Sequence, residues 1–252
     1  ILCCERRWSS LSPFVLLMSI PKPPTILKPV ADGNYWPNVS DPKIAVVCHT
    51  TGGSLAGTDA WFNNPVAQAS TNFAIGQNGE IHEYIDPQGP HSPYANGVVR
   101  LPSGNFPIIY AQQGFRNPNY WSLSIEHEGF PSHEIPTAEM LEASIWLAAW
   151  ACETFSIVPD RSHFFSHTEI DKQKPDPGWS EEFWGIYLAG VQAKLSEEDE
   201  VTEAQANEII RLLTALVQVQ AGDTDSTTPA WENAFEQRKA IIERLDKLLA
   251  KP

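Results

Sequence analysis

The run Ile44-Ala45-Val46-Val47-Cys48 is apolar without interruption and ends on His49. It lacks the polar/apolar alternation of a strand with one wet face, so it reads as a strand buried on both sides. Such a strand needs cover above and below, which points to an α/β architecture built on a central sheet. His49 then stands at the C-terminal end of the strand, where open α/β sheets collect ligand-binding residues.

A second histidine and a carboxylate follow far downstream, in Ser166-His167-Thr168-Glu169-Ile170-Asp171-Lys172-Gln173-Lys174-Pro175-Asp176-Pro177-Gly178. Hydrolytic zinc is usually held by three N or O ligands with the fourth position left to water, whereas structural zinc is closed by four Cys or His at short paired intervals. His49, His167 and Asp176 supply the open kind of set. His167 and Asp176 lie nine positions apart, room for a loop that leaves a strand and turns back. Pro175, Pro177 and Gly178 suit that turn.

Around this set the chain alternates strand and helix signals. Asn78-Gly79, between Phe73-Ala74-Ile75 and the strand ending at Ile85, predicts a hairpin. Ser122 to Glu128 alternates polar with apolar or aromatic residues and predicts a half-exposed strand with Ser122, Ser124, Glu126 and Glu128 on one face. Thr58 is expected to cap a short helix over Ala60-Trp61-Phe62, and Thr137 a helix to about Phe155 that turns Met140, Leu141, Ser144, Leu147, Ala151 and Phe155 inward. Phe164-Phe165-Ser166 is a short strand that delivers His167. Ser180 caps a last helix carrying Phe183, Trp184, Tyr187, Leu188 and Val191 to the core. Residues 21–42 form an extended lead-in, and Pro87 to Tyr120 a long aperiodic loop of the type that is commonly functional.

The net charge of −14 argues against a nucleic-acid binder, since phosphate recognition rests on clustered Lys and Arg. It also gives no attraction toward an anionic membrane or wall, so such a partner must be met by shape and hydrogen bonding. No run approaches the ~20 apolar residues of a membrane span. Cys3, Cys4, Cys48 and Cys152 form neither a C-x-x-C pair nor a disulfide framework and read as buried or incidental thiols. Residues 1–30 form an extended leader; within it Met18 reads as the natural start, with residues 1–17 lying upstream. From residue 197 an acidic run, Glu197-Glu198-Asp199-Glu200, opens a helical hairpin. Its two stripes hold Ile209, Leu212, Leu213, Leu216 and Val219, then Trp231, Phe235, Ile242, Leu245 and Leu249. Two helices alone bury too little to be stable, so the tail at 197–252 must pack on the main domain at 31–196, on a second copy of the chain, or on an external target.

Strand-end His49, the Ser124-Ile125-Glu126 strand, His167 and the run Lys174-Pro175-Asp176-Pro177-Gly178 together resemble the zinc-dependent N-acetylmuramoyl-L-alanine amidases, which share their fold with peptidoglycan-recognition proteins and several phage lysins. The resemblance covers roughly residues 40–190, and its most specific part is the K-x-D-P-G run after a histidine. It implies an α/β fold with a central mixed sheet flanked by helices and a zinc site at one sheet edge; the helical hairpin read from the tail's stripes lies beyond it. It implies Zn2+ on His49, His167 and Asp176, Glu126 as the proton carrier and Lys174 as the oxyanion partner. Substrate contact falls to Thr50, Asn72 and His91, although Asn72 stands where relatives often carry histidine or tyrosine, and Pro90 and Ser92 depart from the usual neighbours of His91. Glu128 is a competing base. Tyr94, Phe106, Tyr110, Phe115 and Tyr120 are expected to wall the glycan-peptide groove or else to pack in the core.

The function this implies is cleavage of the amide between N-acetylmuramic acid and L-alanine in bacterial peptidoglycan. The helical tail and the weak secretion signal favour a phage lysin held in the host cytoplasm until its release to the wall, over a secreted autolysin. A cytoplasmic amidase that recycles wall fragments, and a non-catalytic peptidoglycan-binding module, are the alternatives.

Overall fold

The apolar run becomes a buried strand near one edge of a six-stranded sheet, and the site is assembled beside it. The structure, a computed structural model, describes residues 19–96, 107–131, 136–171, 173–197 and 239–240. Ser19–Glu197 form one compact unit. Apart from residues 239–240, which are helical, the expected helical hairpin lies outside the described residues, as does the segment upstream of Met18.

In chain order the elements are β1 (Ile26–Leu27), β2 (Tyr35–Trp36), β3 (Ala45–Thr50), α1 (Leu55–Phe62), β4 (Phe73–Ile75), β5 (Ile81–Glu83), β6 (Ser92–Pro93), α2 (Ile108–Gln112), α3 (Pro118–Trp121), β7 (Ser122–His127), α4 (Ala138–Phe155), β8 (Phe164–Ser166), α5 (His167–Ile170) and α6 (Glu181–Glu197). The main sheet runs β1-β5-β4-β7-β3-β8, and β2 pairs with β6 separately. The sheet is mixed: β4 and β5 are antiparallel across the Asn78-Gly79 turn, where Gly79 has φ +81°, and the other neighbours are parallel.

Side chains alternate across each strand, which divides the core into layers. Val46, Cys48, Leu123, Ile125 and Phe164 face α4 and α6 and pack with Leu147, Ala151, Trp184, Tyr187 and Val191. Ala45, Val47 and Phe165 face the other way, onto Ile109, Tyr110 and Trp121 of α2 and α3. Each fully buried apolar side chain of this size contributes about 1.5–3 kcal/mol. The two long helices begin where expected: Thr137 Oγ1 accepts from Met140 N, and Ser180 Oγ from Phe183 N. Among the described residues no helix is long and apolar enough to cross a membrane.

Three sequence expectations are corrected. Ser54, not Thr58, caps α1: its side chain accepts from Gly57 N, while Thr58 Oγ1 donates back to the Ser54 carbonyl. The segment 87–120 is not wholly irregular, since β6, α2 and α3 lie within it. And β7 is not half-exposed. All its residues are buried except Glu126, which is partly so. Its serines are small enough to sit inside and serve neighbouring loops: Ser124 Oγ accepts from Thr71 Oγ1 and Asn72 N, and Asn72 Oδ1 accepts from Ser124 N. A buried polar seam of this kind has the same alternating pattern as a wet strand face.

Candidate active site

Three neighbouring parallel strands deliver the chemistry to one end of the sheet. The register sets His49 beside Glu126, and Val47 beside Phe165. With a side-chain period of two, His49 follows Ala45 and Val47 on the α2/α3 face, and His167, two residues beyond Phe165, lands next to it. Asp176 arrives differently, on the loop after α5, which is tied down where Thr168 N donates to the Asp176 carbonyl and Thr168 Oγ1 to the Lys174 carbonyl.

The three expected ligands meet. His49 Nδ1 lies 3.0 Å from His167 Nδ1 and 3.1 Å from Asp176 Oδ2, and His167 Nδ1 lies 3.1 Å from the same oxygen. All three side chains are buried, and each offers one ligand atom to a shared centre. A tetrahedral ion with bonds of about 2.0–2.1 Å holds its ligands about 3.3 Å apart, close to the triangle seen. One proton can bridge only one side of that triangle, and a single cation satisfies all three. The donor set, two imidazole nitrogens and a carboxylate oxygen, therefore fits zinc.

The ring orientation of His49 is fixed from behind. Its Nε2 lies 2.7 Å from Asn96 Oδ1; Asn96 Nδ2 donates to Ser122 Oγ, and Ser122 Oγ to the Pro118 carbonyl. With the amide nitrogen so committed, Oδ1 must accept, so Nε2 carries hydrogen and Nδ1 is turned to the triangle. Burial opposes charge on His49, but Glu126 and Asp176 outweigh it and raise its pKa. Burial, then the neighbouring His49, lowers that of His167 to about 4 and keeps its ring neutral, the form a metal ligand needs. Asp176 is held well below the usual carboxylate range: burial opposes this, but hydrogen bonds from His167 and His49 prevail. Asn96 sits in the aperiodic segment and carries no local sequence signal.

Glu126 has a buried Oε2 without a hydrogen-bond partner. Burial pushes its pKa up to about 7, with His49 pulling down, Asp176 pushing up and Lys174 pulling down. A carboxyl poised there can both take and return a proton near neutral pH. Glu128 is placed otherwise. Its two oxygens accept from Leu55 N at 2.9 Å and Gln77 N at 2.8 Å, so it fastens the start of α1 to the β4–β5 hairpin. His127 faces α4: Nδ1 donates to the His49 carbonyl, and Nε2 accepts from Ser144 Oγ. Burial first lowers its pKa to about 4.

A cavity of about 450 Å³ opens over the triangle, lined by His49, His167, Asp176, Glu126, Lys174 and Thr50, and bounded on the far side by Thr51 to Ser54 and α1. Thr50 Oγ1 is buried without a partner. Asn72 is fully buried, with Nδ2 donating to the Ile85 carbonyl, and belongs to the polar seam around Ser124 rather than to the cavity wall. His91 also stands outside that wall; its Nδ1 accepts from Asn38 N and its ring tilts over Tyr35. Of the aromatic residues expected in the groove, Tyr94 lines it. Tyr110 is core, Phe115 packs on Tyr110, Tyr120 packs on Trp36, and Phe106 lies outside the described residues.

The chain is similar to known proteins in sequence and in fold. N-acetylmuramoyl-L-alanine amidase A of Achromobacter lyticus is 27% identical over 175 residues, covering 61% of this chain and 85% of its own. A mutant of PlyL superposes with a TM-score of 0.50 at 15% identity, over 67% of this chain and 98% of that one; the likeness is one of fold. A selenomethionine derivative of AmpD gives 0.46 at 15% identity, over 71% and 99%. A family model described as N-acetylmuramoyl-L-alanine amidase matches residues 39–179, a span that contains His49, Glu126, His167, Lys174 and Asp176. With more than half of its length so matched, the chain belongs to the N-acetylmuramoyl-L-alanine amidase family.

Proposed function

We propose that this chain is a zinc-dependent hydrolase of the amide joining N-acetylmuramic acid to L-alanine in peptidoglycan, acting as a wall-lysing enzyme of the phage type. The observation that carries the reading is the His49–His167–Asp176 triangle with a partnerless Glu126 oxygen beside it in an open cavity. His49, His167 and Asp176 would hold the metal, and the chemistry zinc supplies in such a site is Lewis acidity toward water and a carbonyl oxygen.

The chain's own groups do the rest. Glu126 takes a proton from water as its oxygen adds to the amide carbon, then passes that proton to the nitrogen as the C–N bond breaks. The products are the lactyl carboxylate of the sugar and a free L-alanine amino terminus. Lys174, an exposed cation on the cavity wall, offers its ammonium to the oxyanion that forms between the two steps. Asn96 keeps His49 in one orientation throughout.

By the same reading the protein waits in the host cytoplasm until its release to the wall, with the tail at 197–252 serving packing, targeting or self-association. Light scattering of the full chain against one ending at Ser196 separates self-association from the other two. The chemistry is tested by mass spectrometry of digested peptidoglycan, which should show new L-alanine amino termini on intact glycan strands. Glu126→Gln should keep its zinc and lose about 10²–10⁴-fold in turnover, whereas Asp176→Ala should lose both. Full lysis by a zinc-free Asp176→Ala protein would refute the site.

A further inference from the structure

Of the aromatic residues that could wall the groove or pack in the core, Tyr94 lines the cavity, while Tyr110 is core and Phe115 and Tyr120 pack on neighbouring rings. The wall built by α1 supplies another ring. Ser54, Gly57, Thr58 and Trp61 recur at the spacing of one helical face and line the cavity along α1. Gly57 lies in the first turn of α1, where glycine is a poorer helix former than alanine. Packing does not call for it: an added Cβ would meet only Ser54 Oγ, at 3.2 Å. The omission leaves a trough on the cavity side. At its far end Trp61 is 50% exposed, a large apolar ring standing in a stretch of small neutral residues.

This wall is firmly held. Glu128 fastens the first turn of α1 through Leu55 N, and Asp59 on the other side of the helix accepts from Tyr84 OH at 2.6 Å, contacts the His82 ring at 2.8 Å and pairs with Lys28 at 3.0 Å. A ring carried on so fixed a helix loses little freedom when something stacks on it. The face is also uncharged, while Lys174 lies among the cavity's other lining residues. Stem peptides carry carboxylates and sugar rings do not, so the neutral face suits the pyranose and the lysine suits the peptide.

The geometry points to Trp61 as the platform on which one N-acetylated pyranose of the glycan strand stacks, with Gly57 keeping the space above the helix that the ring occupies. This rests on the amidase reading for its natural ligand but not for its test. The probe is the tetramer of β-1,4-linked N-acetylglucosamine, which has the ring and acetamide but no lactyl-peptide bond to cleave, titrated calorimetrically into the full chain. Trp61→Ala and Gly57→Leu, the latter filling the trough with a good helix former, should each weaken tetramer binding about tenfold, and Trp61→Phe should recover most of the loss. In turnover, Trp61→Ala should raise KM on whole wall about tenfold and leave kcat nearly unchanged, since no reacting atom is touched. Tetramer affinity that is unchanged in Trp61→Ala, or absent from the unaltered chain, overturns the assignment even if the wall is cleaved. Binding lost as expected in a protein that cleaves no wall would uphold it and remove the amidase reading instead.

Discussion

Replacing Asn96 with alanine isolates the contribution of a residue that touches no ligand atom of the triangle yet decides which nitrogen of His49 faces it. Alanine retains the backbone bond from Asn96 N to Asn119 Oδ1 and deletes two side-chain bonds, to His49 Nε2 at 2.7 Å and to Ser122 Oγ at 2.6 Å. His49 is 1% exposed, so its Nε2 hydrogen has no water to turn to. Stranding a buried donor costs about 1–3 kcal/mol. Partners of metal-bound histidines are worth about 10- to 100-fold in metal affinity, or about 1.4–2.7 kcal/mol. The two routes agree, and the zinc Kd of Asn96→Ala should rise by that factor. A competition titration against a fluorescent chelator at fixed pH gives the number, and a melt of the metal-free protein corrects it for lost folding stability. Nitrogen-15 shifts of the imidazole should show one tautomer of His49 in the parent and a mixture in the variant. Zinc affinity within twofold of the parent, with an unchanged melt, would refute the argument that the amide fixes the ring.

Two further expectations separate structural from chemical roles. Glu128→Ala frees Leu55 N and Gln77 N, one of these bonds being solvent-exposed, and should cost about 2 kcal/mol, lowering Tm by roughly 4–8 °C in a unit of this size while kcat survives at low temperature. A fully folded Glu128→Ala protein without turnover would make that carboxylate the base. His127 is held neutral, its pKa lowered from 6.5 to about 4 by burial and then by the charge of His49, against a hydrogen bond to the His49 carbonyl that works the other way. The fold favours the neutral ring, so its contribution is complete above about pH 6.5 and is lost as pH falls toward 4, about 2–3 kcal/mol by pH 4.5. Urea unfolding at pH 7 and 4.5 should show that gap in the parent and a narrower one in His127→Gln; equal gaps would sink the assignment.

Much of this arrangement is legible in the sequence, and the rest is hidden for physical reasons. The β3 run, the Asn78-Gly79 hairpin, the Thr137 and Ser180 caps and the inward stripes of α4 and α6 are local signals, each set by propensity or periodicity within a few residues. The convergence of His49, His167 and Asp176 is long-range, yet three ligand-type residues at strand ends and in a proline-rich loop narrow the choices. β7 defeated the pattern because Ser122 and Ser124 satisfy buried hydrogen bonds rather than water. Asn96 and Trp61 were invisible for a related reason: one lies in an aperiodic stretch, and the other looks like any apolar residue of a short amphipathic helix until its exposure is seen.

The triangle is built from unequal parts. His49 and the neighbouring Glu126 are mounted on adjoining strands of the sheet and His167 directly follows a third, while Asp176 hangs on the strap from Gln173 to Gly178. An ion captured there doubles as a rivet between rigid frame and strap, and a chelator would undo only that joint. Proteases offered the metal-stripped protein should therefore nick first near Lys174 and spare β3, so that cofactor loss would be read as a single new cleavage site rather than as general unfolding.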